Sequence, residues 1–256
     1  MLKNGRDWIF TIPFYVAFGL TLAVYDIAMR IARRFGTRPM SVVVSSLQRS
    51  LVRAIRICGT RIEVERDPAV KGHTPYLILT NHQDMMDIPL FGAELFSNFV
   101  KYVAKIELGG YIPSISYNLK YGGNALIDRS DRRQAISAIT ALGERVASDG
   151  VAALIFPEGT RSKDGVPGPY RIAGAKALLR AAPDVPVVAG AIDGTWHLGR
   201  NRFAPVPFGT TVRIAIGAPM ARSADDEVAL IQAAESWMLS KLAEWRQTEP
   251  PTIQPD

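Results

Sequence analysis

From Arg61 onward the chain alternates short, nearly unbroken apolar runs with longer stretches of helical periodicity, and few folds accept that rhythm. Runs such as Leu77-Ile78-Leu79 and Ala152-Ala153-Leu154-Ile155-Phe156 present no polar face, as strands covered on both sides do. The pattern predicts strands at 61–66, 76–80, 99–104, 124–128, 152–156, 187–192 and 212–216. It predicts helices at 85–95, 131–147, 172–181 and 225–246, the last started by a capping box of Ser223 and Asp226 with Asp225 and Glu227 adding first-turn charge. The fold class is therefore α/β: a mixed, largely parallel sheet of about seven strands wrapped by helices, with a membrane-associated helical segment at the N-terminus.

That N-terminal segment has no charge from Trp8 to Tyr25. As a helix it would be about 27 Å long, close to the ~30 Å hydrocarbon core of a bilayer. Pro13, Gly19 and recurring aromatics are tolerated there, and the basic stretch after Asp26 offers no small-residue cleavage site, so an uncleaved anchor is expected rather than a secretory signal. Further on, Val44, Leu47, Leu51 and Ile55 form one helical stripe and Arg49, Arg53 and Arg56 another. Two readings remain open for this second helix. It can lie at a lipid interface with the stripe in the acyl boundary, which its place after an anchor favours, or it can pack the stripe on its own domain. The expected divisions are membrane-anchoring helices at 1–58, an α/β domain at 59–248 and a loose, proline-containing tail at 249–256.

Composition removes several classes. Charged residues are 21% and hydrophobic ones 48%, which excludes disordered and fibrous chains. The single cysteine, Cys58, excludes a disulfide framework or a multi-cysteine metal centre, and no metal site is expected. A net charge of +6 draws the molecule to anionic surfaces, and no aromatic-basic signature points to nucleic acid.

Chemistry in such sheets sits where strands end. His82 follows the second predicted strand, with Asp84 and Asp87 two and five residues later. An irregular turn at the helix start would let Asp87 fold back onto the imidazole and raise its basicity, and Asp84 is a second possible partner. Arg129 leaves the fourth strand, where it can grip a phosphate or pair with Asp128 or Asp131. After the fifth strand, Pro157 and Gly159 fix a sharp turn that presents Glu158, Thr160 and Arg161.

These residues resemble the glycerolipid acyltransferases typified by the lysophosphatidic acid acyltransferases. Asn81, His82 and Asp87 are similar to the first motif of that family, Asn-His-x4-Asp. Gly123 through Arg129 is similar to the second, with Leu126 replacing a Phe. The third, Phe-Pro-Glu-Gly-Thr-Arg-Ser, stands unbroken from Phe156 to Ser162, and Val185-Pro186-Val187-Val188 resembles the fourth. The likeness covers residues 60 to 220 and departs at Asp84, where the family often has Ser.

The resemblance implies transfer of a fatty acyl group from acyl-CoA or acyl-ACP to the hydroxyl of a lysophospholipid, foremost 1-acyl-sn-glycerol-3-phosphate to give phosphatidic acid. Another lysolipid, of lysophosphatidylglycerol or lyso-ornithine type, would use the same residues, and a thioesterase is the rival enzyme. It implies His82 as general base held by Asp87, with no cofactor beyond the thioester. Arg129 would bind the acceptor phosphate, and Glu158, Gly159, Thr160 and Arg161 would shape the acceptor site. The oxyanion would meet amides near Glu158 and Gly159 or at the helix start after His82. The implied location is the cytoplasmic face of the inner or plasma membrane, with acyl carrier protein a possible partner.

Overall fold

The protein is described from a computed structural model covering residues 2–220, 222 and 226–247. In chain order the elements are α1 (Leu2–Arg33), α2 (Thr37–Ile55), β1 (Arg61–Arg66), β2 (Leu77–Leu79), α3 (Asp87–Glu94), β3 (Lys101–Lys105), α4 (Ile115–Tyr121), β4 (Ala125–Ile127), α5 (Arg132–Asp149), β5 (Ala153–Ile155), α6 (Ile172–Ala181), β6 (Val187–Asp193), α7 (Thr195–Leu198), β7 (Thr211–Met220) and α8 (Glu227–Gln247).

The seven strands form one sheet in the order β1-β7-β6-β2-β5-β3-β4. The pairs β6–β2, β2–β5, β5–β3 and β3–β4 are parallel, while β7 runs antiparallel to β6 and parallel to β1. The sheet is thus mixed and largely parallel, as the sequence predicts. Central strands β2 and β5 are wholly buried, whereas edge strand β1 carries Arg61, Glu63, Glu65 and Arg66 into solvent, which discourages pairing with another chain. One face of the sheet packs on α2 and α3 through Ile55, Phe91 and Leu154, and the other on α5, α6 and α8 through Leu142, Leu178 and Met238.

Helix ends follow local chemistry. Asp131 caps α5 by accepting from the amides of Arg133 and Gln134, and Gly150, in the left-handed region, ends it. The Ser223 capping box and the 249–256 tail lie outside the described residues. Asp226 stands directly before α8 rather than three residues inside it, accepting from the amide of Ala229 at 3.2 Å.

The N-terminal helices bring one correction. Val44, Leu47, Leu51 and Ile55 of α2 are buried, against α1 and the sheet-covering core, so the stripe meets protein and not lipid. The apolar surface left open belongs to α1, where Ile9, Ile12, Val16, Leu20, Val24, Ile27 and Ile31 recur at helical spacing and are all exposed. The opposite side of α1 is tied down along its length: Thr11 to Val206, Tyr15 to Phe203, Leu22 and Asp26 to Ser114. By length and composition Gly5–Arg33 is one helix able to cross a membrane.

Candidate active site

β2 ends at Leu79 and the chain leaves the sheet through Asn81, whose side chain donates to the Ile192 carbonyl at 2.8 Å and accepts from the Ile192 amide at 2.9 Å. This two-way clamp to β6 fixes the exit of the strand. The next residue is His82. Its Nδ1 lies 2.8 Å from Oδ2 of Asp87, the first residue of α3. The turn that allows the five-residue return is closed by Asp87 itself, whose Oδ2 also accepts from the amides of Gln83 at 2.6 Å and Asp84 at 2.9 Å.

Asp87 is fully buried and His82 keeps 15% of its side chain exposed. The carboxylate's second oxygen accepts from the Thr195 hydroxyl at 2.6 Å. Four donors converge on one carboxylate, which holds the proton on Nδ1 and leaves Nε2 with a free lone pair. The imidazole also stacks on Phe156, ring centroids 3.8 Å apart and 13° from parallel. Asp84 does not pair with His82. It is buried, accepts from the Met86 amide at 3.0 Å, and burial pushes its carboxyl up to about 7.

His82 opens on a cavity of about 780 Å³. Val103, Leu108, Ile127, Ile136, Ile139 and Ile155 give it an apolar lining, and Lys105, Arg129, Arg132, Arg161 and Arg171 add five cations. No carboxylate lines it among the described residues. Arg129 pairs with neither Asp128, which accepts from Ser130, nor Asp131, which caps α5. Burial and then the charge of Arg171, opposed by Glu107 and aided by Arg161, hold its guanidinium below the ordinary value.

The structure separates the residues expected around the acceptor. Arg129, Gly159, Thr160 and Arg161 line the cavity with His82. Glu158 does not: only 4% exposed, it accepts from the His82 amide at 2.7 Å and the Gly168 amide at 2.8 Å, and burial raises its carboxyl. It ties the third-motif turn to the His82 loop, and the Ser162 amide reinforces the tie by donating to the His82 carbonyl. Gly159, with φ of 71°, makes this turn in a region that suits glycine. The amides of Gln83, Asp84, Met86 and Gly159 all have protein acceptors, so they are not the oxyanion donors expected from turn position.

Sequence reasoning missed Thr195, Lys105, Arg132 and Arg171. Thr195 follows β6 as His82 follows β2, so the same strand-exit rule, applied to Asp193-Gly194-Thr195, would have found it. Arg171 directly precedes the apolar helix α6, and that was its one local signal. Among the described residues no group of three or more His, Cys, Asp or Glu is placed to hold a metal.

An α/β sheet with an imidazole–carboxylate pair at its strand ends, opening on a cationic and apolar cavity, has the make-up of an acyltransferase. The sequence model of the Acyltransferase family matches residues 61–193, just over half of the chain, and the chain belongs to that family: it is an enzyme of the O-acyltransferase class. It is similar to the 1-acyl-sn-glycerol-3-phosphate acyltransferase alpha of Mus musculus, 26% identical over 202 residues, 78% of this chain and 69% of the relative. A shorter stretch of 89 residues is 40% identical to the 1-acyl-sn-glycerol-3-phosphate acyltransferase of Helicobacter pylori, covering 35% of this chain and 36% of the relative. The fold matches the crystal structure of the 1-acyl-sn-glycerophosphate (LPA) acyltransferase of Thermotoga maritima with a TM-score of 0.73, at 22% identity over 97% of this chain and 99% of the other.

Proposed function

We propose that this acyltransferase moves a fatty acyl group from acyl-CoA or acyl-ACP to the free hydroxyl of a lysophospholipid, with 1-acyl-sn-glycerol-3-phosphate as acceptor and phosphatidic acid as product. One observation carries the reading: an imidazole, an apolar lining and five cations share a single cavity that no carboxylate lines among the described residues. The apolar lining suits an acyl chain and the cations suit a phosphate. The names of the mouse and Helicobacter relatives support the same acceptor.

His82 Nε2 takes the acceptor's hydroxyl proton as the oxygen attacks the thioester carbonyl. The tetrahedral intermediate collapses, the C–S bond breaks, and the departing thiolate takes the proton back from the imidazolium. A thioester is already activated, so neither a covalent enzyme intermediate nor a further cofactor is required. Asp87 holds the imidazole and meets its charge. Arg129, Arg161 and Arg171 grip the acceptor phosphate, Thr160 and Gly159 shape its seat, and Glu158 positions the loop that carries the base.

The open apolar stripe of α1 supports a seat on a membrane with the helix lying in one leaflet, and the cytoplasmic face is the side we propose. A helix bonded to the α/β body from Thr11 to Asp26 could not cross a bilayer without taking the body with it. Acyl chains then pass between bilayer and cavity without entering water.

The test is an assay of purified protein with one acyl-CoA against a panel of lysolipids, products read by mass. 1-Acyl-sn-glycerol-3-phosphate is expected to turn over fastest, and His82→Ala to abolish transfer in a folded protein. Full CoA release without any acceptor would instead identify a thioesterase.

A further inference from the structure

β3, β4 and β5 run parallel, so residues that begin them share one end of the sheet and residues that finish them share the other. The cavity of His82 is lined by Lys105, Ile127 and Ile155, where these strands finish. A separate cleft of about 310 Å³ is lined by Lys101, Gly123 and Val151, where they begin. Lys101 and Lys105 bracket β3, about 13 Å apart at ~3.3 Å per residue.

Lys101 is the unusual member of this cleft. It is 6% exposed, and its ammonium donates to the Ser41 hydroxyl at 2.9 Å with no carboxylate at ion-pair distance among the described residues. A buried ammonium facing only a neutral hydroxyl is an expensive arrangement in a protein interior. Burial, followed by the charge of Arg145 and opposed by that of Asp149, brings the amine down to about 8. Arg38 and Arg145 line the same cleft, and Asp149, 3.7 Å from Arg145, is the one carboxylate among its lining residues. Three cations against one anion leave an excess of two positive charges.

The N-terminus of α2 adds to this field. No side chain caps it, no acidic residue occupies its first turn, and Thr37, Arg38 and Ser41 all line the cleft. The positive end of a 19-residue helix is therefore directed at the same small space as the buried amine.

We propose that this cleft is a second phosphate-binding site, at the end of the sheet remote from the catalytic cavity. The Lys101 ammonium, held by Ser41, whose own hydroxyl donates to the Thr37 carbonyl, forms its floor, Arg38 and Arg145 its rim, and the amides of Thr37 and Arg38 one wall. The phosphate can come from solution or from the headgroup of an anionic phospholipid, since the turn between α1 and α2, with exposed Phe35, borders the cleft.

Two arms separate these sources in the full chain. In one, inorganic phosphate is titrated at constant ionic strength and followed by phosphorus NMR line broadening for wild type, Lys101→Met, Arg145→Met and Arg129→Met. In the other, the same proteins are floated with phosphatidylcholine vesicles with and without phosphatidylglycerol. Two classes of phosphate binding are expected: Lys101→Met and Arg145→Met each weaken one about tenfold, equivalent to about 1.4 kcal/mol, and leave the other, held by the cavity of His82, which Arg129→Met weakens instead. A loss confined to the gain produced by phosphatidylglycerol assigns the site to lipid, and a loss toward inorganic phosphate assigns it to a soluble ligand. Wild-type behaviour of both variants in both arms overturns the proposal. Arg145 is on the exposed rim, so its variant remains informative if Lys101→Met does not fold.

Discussion

The Thr195 hydroxyl donates at 2.6 Å to the Asp87 oxygen that His82 leaves free, joining α7 to the start of α3 across 108 positions of sequence. The orientation of the His82 imidazole is thus set jointly by two strand exits, those of β2 and β6.

Neither Thr195 nor Asp87 lines the cavity, so removing this bond is expected to act on turnover and not on acceptor binding. Thr195→Val should lower kcat by roughly 10- to 100-fold, the size of a hydrogen bond to a charged group, with acceptor KM nearly unchanged and Thr195→Ser restoring the rate. Initial-rate kinetics decide it, and a raised KM at constant kcat would remove the positioning role.

Arg129 and Arg171 face one cavity and repel each other there. Arg129→Ala and Arg171→Ala should each weaken binding of a phosphate-bearing acceptor by about 1.5–3 kcal/mol. A lysolipid without a phosphate should show no such loss. Equal effects on both acceptors would mean that the arginines shape the cavity without reading the headgroup.

Asp84 gives the fold a pH dependence. Its carboxyl is raised to about 7 in the folded protein from an ordinary 3.8, so the folded state holds the extra proton between those values. Stability contributed by the protonated form is complete below about pH 4 and is lost as pH rises to 7, at up to about 1.4 kcal/mol per pH unit. Asp84→Asn keeps an acceptor for the Met86 amide without the charge, so it should melt higher than wild type at pH 8 and match it near pH 4. Equal melting at pH 8, measured by calorimetry, would show that the carboxyl ionises without penalty.

The exposed stripe of α1 is separable from the face that packs. Ile12→Ser with Val16→Ser should weaken vesicle binding by about 2–5 kcal/mol, from the apolar area withdrawn from lipid, with the melting temperature little changed. Flotation of the double variant together with the vesicles as fully as wild type would show that another surface holds the enzyme to lipid.

Much of the architecture was legible because the central strands are short apolar runs covered on both faces, while edge strand β1 alternates Ile62 and Val64 with charged residues. β1 and α6 occupy the predicted positions to the residue, at Arg61–Arg66 and Ile172–Ala181. β7 runs on to Met220, past the predicted 216, because it pairs with β1 along its first part and with β6 through its end. α4 and α7, of seven and four residues, are too short to show a helical period. In the site, Arg129 was ambiguous between phosphate and a local ion pair, and only the commitments of Asp128 and Asp131 to other donors resolved its freedom.

The strand pattern, the order of the motifs and the pairing of His82 with Asp87 were readable from the chain because each depends on residues close together in it. Three features emerged only on folding: which apolar stripe is left exposed, the inward turn of Glu158 onto two amides, and the arrival of Thr195 and Arg171 in the site. An amphipathic or polar pattern states what a side chain needs, while the partner that satisfies it is supplied by distant segments brought together in the fold.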